Sequence, residues 1–268
     1  MAPIQHKREA YWFYAVVSRV YDRWVNPLFW TPAMRAEALE LARLDAPGLE
    51  VVDVGAGTGF TTEGIVERVD AARVTLLDQS PHQLAHARRK PALAACRIVQ
   101  GDAEQLPFAT DGADRYVSAG SIEYWPDPQR GIAEAYRVVR PGGIALVAGP
   151  VRPAHPVVRR MADAWMLFPA EDDYRRWFEA AGFVDVEVRR IAPRWYTRRD
   201  GAYAVAVAGR KPASGPSALA LASDPETPNA RMTLRRWVRF AAGSAVGLAF
   251  VPLAVALAVR ARLRGERG

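Results

Sequence analysis

The sequence predicts an α/β fold with a doubly wound parallel sheet, and two observations support this prediction. Residues 49–54 are almost all apolar and lead into a glycine-rich turn, which is typical of a strand buried on both faces of a sheet. Beyond them, strand-like and helix-like segments alternate with short connections, as in sheets whose parallel strands are joined by covering helices. The 268 residues are enough for one such domain and an appendage.

Each predicted element follows from a local pattern. The strands are predicted in chain order at residues 49–54, 73–77, 96–100, 115–119, 143–148, 184–191 and 203–208. Helices are predicted between them at residues 58–69, 81–90, 128–139 and 171–181. The second helix has a clear start, because Ser80 is a suitable N-cap and Pro81 suits the first helical position. The segment RPGG at residues 140–143 predicts a turn before the fifth strand.

The positive charge of the chain lies at its C-terminal end. Residues 231–268 hold eight arginines and a single glutamate, which account for the whole net charge of +7. The rest of the chain is neutral overall, so the sequence gives no support to a nucleic-acid partner. Cys96 is the only cysteine, which excludes a disulfide within the chain and a cysteine zinc site, and we expect no metal.

Residues 240–259 form an uncharged run of 20 residues between arginines. A helix of this length spans about 30 Å, the hydrocarbon thickness of a bilayer. We therefore expect a transmembrane helix and the lipid bilayer as a partner, with a buried core helix as the alternative. Gly243 and Gly247 have the GxxxG spacing of helix pairs, which makes a homodimer through this helix a further hypothesis.

Four regions follow from these patterns. They are an aromatic helical lid at residues 1–45, the α/β domain at 46–211, a linker rich in Pro, Ser and Ala at 212–233, and the anchor at 234–268. The first residues lack the apolar stretch of a signal peptide and the character of an organellar transit peptide. We therefore expect a bacterial-type, membrane-anchored protein with its α/β domain on the cytoplasmic face.

The residues that follow the predicted strands indicate a ligand site, because parallel sheets of this kind bind ligands at the carboxyl ends of their strands. Glycines after the first strand let the backbone approach a ligand closely. Asp53 suits an ammonium group, Asp78 suits two ribose hydroxyls, and Asp102 suits an adenine amino group beside the amide of Ala103. Amino acid, ribose and adenine together describe S-adenosylmethionine. The predicted cofactor residues are Asp53, Gly55, Gly57, Thr58, Gly59, Asp78, Gln79, Asp102, Ala103 and Ser118.

Four segments resemble the ordered motifs of class I S-adenosylmethionine-dependent methyltransferases: VVDVGAGTGF, LLDQSPHQL, GDAEQLPF and VRPGGIALV. Longer segments, above all SAGSIEYWPDPQRGI at residues 118–132, resemble the plant-type 2-methyl-6-phytyl-1,4-benzoquinol methyltransferases over residues 5–215. The resemblance implies a Rossmann-like sheet of seven strands. It also implies C-methylation of the ring of a prenylated benzoquinol in tocopherol or plastoquinone biosynthesis.

Methylating a ring carbon of a quinol requires a group that accepts the phenolic proton. Glu123 and Tyr124 follow the fourth strand at the mouth of the predicted cofactor site, and we expect Glu123 to be the acceptor. Asp22 is the second candidate, and His82 is the weakest. A solvated or helix-capping acid is the alternative interpretation of Glu123, and an exposed helix charge is that of Asp22.

An apolar acceptor would need an apolar pocket. Aromatic residues crowd the first 30 positions, where they form either a lid over the substrate or a helix packed on the core. The predicted substrate residues are Trp12, Tyr21, Trp24, Ser121 and Trp165. Two other functions stay open, namely methylation of a different membrane lipid such as a sterol or phospholipid, and a non-catalytic scaffold that binds S-adenosylmethionine.

Overall fold

A computed structural model describes residues 29–163, 166–196 and 201–220, together with six isolated positions between 238 and 259. The described chain contains one sheet of seven strands, as predicted. The strands are β1 Val51–Val54, β2 Val74–Asp78, β3 Arg97–Gln100, β4 Ala113–Ala119, β5 Val139–Pro150, β6 Val184–Ile191 and β7 Ala204–Arg210.

The strands lie in the order β3-β2-β1-β4-β5-β7-β6. The first five are parallel to their neighbours, whereas β7 runs antiparallel to both β5 and β6. Six strands therefore run in the same direction, as predicted for a parallel sheet, and β7 runs in the opposite direction. The strand order reverses between β1 and β4, which places a crevice for ligands at the carboxyl ends of those two strands.

Six helices of the described chain cover the sheet or extend from it. They are α1 Pro32–Glu40, α2 Phe60–Val66, α3 Pro81–Ala87, α4 Pro128–Val138, α5 Pro156–Asp163 and α6 Glu171–Ala181. Side chains cap three of them by accepting a hydrogen bond from a backbone amide of the first turn: Thr31 for α1, Ser80 for α3 and Asp127 for α4. The N-cap predicted at Ser80 is confirmed.

Two hydrophobic clusters lie on opposite faces of the sheet. One contains Val52 and Val54 of β1 with apolar residues of α4 and α6, and the other contains Val51 with residues of α1 and α2. Alternate residues of a strand point to opposite faces, which explains how one short strand serves both clusters. The fold thus has three layers, with the sheet between two layers of helices. The crevice for ligands lies at the carboxyl ends of the parallel strands, and we call this side of the sheet its ligand edge.

The turn predicted at residues 140–143 is wrong, because these residues lie inside β5. Pairing between β4 and β5 shifts register here, and Gly142 has a φ of +79°. The amide of Gly142 donates to the carbonyl of Lys211 at 2.8 Å, and the amide of Lys211 donates to the carbonyl of Gly143 at 3.0 Å. The glycines therefore form an irregularity that joins the strand to the chain after β7.

The chain after β7 is held to the α/β domain through one buried lysine. The side chain of Lys211 is fully buried, and its Nζ lies 2.5 Å from Asp111 Oδ1 and 2.7 Å from the carbonyl oxygen of Gly215. Asp111 also accepts from the hydroxyl of Ser214. The first residues of the predicted linker are thus held to the domain on the side of the sheet opposite the carboxyl ends of the parallel strands.

Several predictions concern residues that the structure does not describe. Residues 1–28 of the proposed lid at 1–45, most of the predicted transmembrane helix at 240–259 and the helix-pairing residues Gly243 and Gly247 lie outside the described residues. Within the described ranges, no helix is both long enough and apolar enough to cross a membrane.

Candidate functional site

The glycine-rich turn between β1 and α2 forms the centre of the site. Gly55, Gly57 and Gly59 all have positive φ, at +69°, +58° and +82°, a region that residues with a Cβ rarely adopt. The amides of Gly55 and Ala56 donate to the carbonyl of Leu77 at 2.8 and 3.0 Å, which ties the turn to β2. A Cβ added at Gly57 would meet no atom within 4 Å, so there is open space for a ligand beside the backbone.

Asp53 of β1 is fully buried beneath this turn. The hydroxyl of Thr62 donates to its Oδ2 at 2.6 Å, whereas its Oδ1 has no hydrogen-bond partner among the described residues. Burial raises the pKa of Asp53 to about 7, with a smaller contribution in the same direction from Asp78. A buried acceptor without a donor fits the predicted ammonium group of a ligand.

Asp78 at the end of β2 holds the glycine turn in place. Its Oδ2 accepts from the amide of Gly57 at 2.9 Å and its Oδ1 accepts from the amide of Ser80 at 2.8 Å. Desolvation raises the pKa of Asp78, and the two amide hydrogen bonds oppose this shift. Each carboxylate oxygen can accept more than one hydrogen bond, so the predicted ribose contact is compatible with this structural role.

The loop after β3 brings Asp102 and Ala103 to the same edge. The amide of Gly101 donates to the carbonyl of Asp78 at 3.1 Å, and Asp102 Oδ1 accepts from the amide of Glu104 at 2.9 Å. Glu104 in turn accepts from the amide of Asp127 through Oε1 at 2.7 Å. The loop is therefore connected to β2 on one side and to the start of α4 on the other.

The loop after β4 closes the site beside the glycine turn. The hydroxyl oxygens of Ser118 and Ser121 lie 2.7 Å apart in a hydrogen bond, and both side chains are buried. A Cβ added at Gly55 would lie 2.4 Å from the Cβ and Oγ of Ser121. The predicted cofactor residue Ser118 and the predicted substrate residue Ser121 thus lie against the same turn.

Glu123 lies two residues further on, in the short 3-10 helix Ile122–Tyr124. Its side chain is buried, its Oε2 has no partner in the described part of the chain, and burial raises its pKa to about 7. Desolvation by burial raises the pKa of Tyr174 well above its ordinary value, and the charge of Glu123 adds to this shift. Burial excludes the solvated-acid interpretation of Glu123 and leaves a carboxyl group able to exchange a proton near neutral pH.

The structure brings most of the predicted site residues to one edge. Tyr124 is buried next to Glu123. Asp22, Trp12, Tyr21, Trp24 and Trp165 lie outside the described residues. In the three described ranges, no group of three or more His, Cys, Asp and Glu side chains is arranged to hold a metal ion.

Two features of this edge are not among the residues predicted from the sequence. Tyr174 of α6 reaches it, donating from its hydroxyl to the carbonyl of Pro150 at 2.9 Å, and Tyr203 precedes β7 within a group of aromatic rings. The aromatic pair at residues 195 and 196, before a strand, was a signal in the sequence that could have identified the second feature.

Known proteins share both the motifs and the fold. The methyltransferase-domain family matches residues 52–147. The chloroplastic 2-methyl-6-phytyl-1,4-hydroquinone methyltransferase of Arabidopsis thaliana is 61% identical over 221 residues, which are 81% of this chain and 65% of that protein. Enzyme 1 of the same name from Oryza sativa subsp. japonica is 58% identical over 231 residues, 84% of this chain and 70% of that protein. This chain belongs to the 2-methyl-6-phytyl-1,4-hydroquinone methyltransferase family.

Among solved structures, an S-adenosylmethionine-dependent methyltransferase of Thermotoga maritima has the same fold. It superposes with a TM-score of 0.60 at 19% identity, over 75% of this chain and 99% of that one. The predictions of a class I methyltransferase fold, of membership in this methyltransferase family and of S-adenosylmethionine as its cofactor are confirmed. The chain spans about two thirds of the length of its family relatives.

The predicted location is wrong. We expected a bacterial-type protein anchored to a membrane with its methyltransferase domain on the cytoplasmic face. Four relatives that are 58% to 61% identical are chloroplastic proteins by name, whereas we expected a bacterial-type protein. In sequence, this chain is similar to these chloroplastic enzymes.

Proposed function

We propose that this methyltransferase methylates a ring carbon of a prenylated benzoquinol of the 2-methyl-6-prenyl type, in the synthesis of quinones like tocopherol and plastoquinone. The observation that carries the proposal is the 61% identity, over 81% of the chain, to a relative named for such a hydroquinone. The match to the methyltransferase-domain family, residues 52–147, includes the edge described above from the glycine turn to Glu123.

S-adenosylmethionine, when bound, supplies a methyl group that is already activated on a sulfonium. The residues present fit this cofactor, because Asp53 offers an unpartnered buried oxygen and the space beside Gly57 is open. Asp78 and Asp102 would bind the ribose and the adenine from the ends of β2 and β3. The cofactor would also contact Thr58, Gly59, Gln79, Ala103 and Ser118.

Glu123 is the proposed proton acceptor. Its carboxylate would take the proton of a phenolic hydroxyl, which makes the neighbouring ring carbon nucleophilic enough to form the new bond to the methyl carbon. The bond from that methyl carbon to sulfur would break at the same time, and its electron pair would stay on sulfur. The ring carbon then loses its own hydrogen as a proton, which restores the aromatic ring. A pKa of about 7 suits this work, since general bases are most effective when their pKa lies near the working pH. Tyr124 and Asp22 are the other candidates.

The loop after β4 would also position the reacting groups. The buried Ser118–Ser121 hydrogen bond and the turn at Gly55 hold the loop after β4 against the cofactor side of the site. A rigid loop keeps the carboxyl of Glu123 at a constant place relative to the transferred methyl, which favours in-line attack.

A methyl-transfer assay tests this function. The protein is incubated with isotopically labelled S-adenosylmethionine and synthetic 2-methyl-6-prenyl-benzoquinols, and mass spectrometry locates the label. We expect the label on a ring carbon. Label on oxygen, or turnover of a sterol or phospholipid in place of the quinols, would assign another reaction. Cofactor binding without any turnover would indicate a scaffold and would overturn the proposal.

A further inference from the structure

Four aromatic rings form a cluster beside the site that the reaction as described does not use. The edge aromatic cluster consists of Phe29, Trp195, Tyr196 and Tyr203, all half-buried. The ring centroid of Tyr203 lies 5.0 Å from that of Tyr196 and 5.6 Å from that of Trp195, and the rings meet edge to face. Phe29 completes the cluster at 6.5 Å from Trp195, and its carbonyl accepts from the hydroxyl of Tyr203 at 3.0 Å.

The cluster lies at the edge of the sheet that carries the site. Tyr203 directly precedes β7, whose first residue Ala204 pairs with Pro150 at the carboxyl end of β5. The amide of Val151 donates to the carbonyl of Tyr203 at 3.0 Å. A Cβ added at Gly149 would lie 2.5 Å from the side chain of Ile122, the neighbour of Glu123. The end of β5 therefore has Glu123 on one side and the edge aromatic cluster on the other.

The connection that carries these rings is longer than the sheet requires. β6 and β7 are antiparallel and pair through Ile191 and Ala204, so residues 192–203 connect them. Hairpins of this kind most often close with about 2 to 5 residues. Tyr203 packs against the hydrophobic core, whereas Trp195 and Tyr196 pack on Tyr203 and on each other, outward from the core.

We propose that the edge aromatic cluster binds the prenyl chain of the acceptor and sets the chain length that the enzyme prefers. This inference rests on the proposed function. A branched, uncharged hydrocarbon chain gains affinity by covering half-buried rings, and all four members of the cluster are half-buried aromatic residues. The cluster lies beyond the end of β5. The quinol ring would therefore lie next to Glu123, and its prenyl chain would extend toward β7.

The test compares Trp195→Ala and Tyr196→Ala with the natural sequence on benzoquinols that carry no prenyl unit, one unit or several. In the natural protein kcat/KM should rise with the number of units. Each variant should lower kcat/KM for the longest chain about tenfold, mainly through KM, and leave the unprenylated quinol unchanged. Trp177→Ala removes another half-buried tryptophan, on α6, and should keep the chain-length dependence.

Trp195→Phe guards against a folding defect, because it keeps an aromatic ring and should lower kcat/KM by a smaller factor than Trp195→Ala. Thermal unfolding shows whether each variant is folded. An unchanged chain-length dependence in both alanine variants would overturn the inference while the proposed function stands. Failure of the natural protein to methylate any prenylquinol would overturn both, and it would be seen before any variant is made.

Discussion

Gly55 and Ser121 approach so closely that no side chain fits between them. A Cβ on Gly55 would lie 2.4 Å from both the Cβ and the Oγ of Ser121, and Gly55 also has a φ of +69°. The turn after β1 and the loop after β4 are thus packed backbone against side chain. The contact joins the turn that we propose to bind the cofactor to the loop that carries Glu123.

Gly55→Ala should therefore abolish methyl transfer and weaken cofactor binding by at least about tenfold, because the turn must move to relieve the clash. Isothermal titration calorimetry with S-adenosylhomocysteine measures the affinity. Gly48→Ala is the matched control, since Gly48 has a similar φ of +71° with no atom within 4 Å of an added Cβ. If both variants weaken binding equally, the backbone strain is responsible and the contact with Ser121 is not. Gly55→Ala combined with Ser121→Gly should recover part of the affinity.

The ionisation of Asp53 should control cofactor affinity. Its pKa of about 7 means that the charged form, which attracts an ammonium group, becomes dominant as the pH rises. The affinity for S-adenosylhomocysteine should increase about tenfold between pH 6 and pH 8, and the dependence should be much weaker in Asp53→Asn. Equal slopes for the two proteins would show that another group titrates.

The raised pKa of Asp53 should make folding stability fall as the pH rises, whereas it should make cofactor affinity rise. A carboxyl group whose pKa is raised by folding stabilises the folded state at a pH below its ordinary pKa, and this contribution is lost as the pH rises toward 7. The free energy of unfolding of the cofactor-free protein, relative to that of Asp53→Asn, should fall by about 1 to 4 kcal/mol between pH 4 and pH 7.5. Urea unfolding at several pH values measures it. A flat difference would mean that Asp53 is not desolvated in the folded protein.

Glu123→Gln should lower kcat by a factor of about 10² to 10⁴, because the amide cannot accept the phenolic proton. In the natural protein the rate at saturating cofactor should rise through pH 7 as Glu123 loses its proton, and this rise should disappear in the variant. Saturating cofactor keeps the titration of Asp53 out of the profile. Tyr124→Phe serves as the comparison, and a larger loss there than in Glu123→Gln would move the role of base to Tyr124.

The pair formed by Lys211 and Asp111 should matter for stability and not for the chemistry. Asp111→Asn removes the negative charge that pairs with the ammonium group of a fully buried lysine and leaves it with neutral acceptors, at a cost of about 2 to 4 kcal/mol. Asparagine also tolerates the φ of +58° at this position. Glu50→Ala breaks the exposed pair with Arg73 and should cost less than about 1 kcal/mol. Urea unfolding separates the two variants, and kcat measured on folded protein should be unchanged in both.

The local patterns of the sequence were sufficient for most of the fold. Apolar runs located all seven strands, and Ser80 with Pro81 located the start of α3, because burial and capping depend on residues close together in the chain. Asp53, Asp78 and Asp102 could be placed at one edge from their positions after successive strands alone. The turn predicted at residues 140–143 failed because the amide of Gly142 and the carbonyl of Gly143 find backbone partners at Lys211, far away in sequence.

The sequence by itself determined the order of the elements, the ligand edge and the family of this methyltransferase. Tertiary structure alone decided the reversed direction of β7, the contact between Gly55 and Ser121, and the burial that raises the pKa of Glu123. It also assembled the edge aromatic cluster from residues 29 and 195–203. These features depend on contacts between segments that are far apart in the chain. Short-range sequence patterns predict the secondary structure of each segment, but tertiary packing determines which distant segments come into contact.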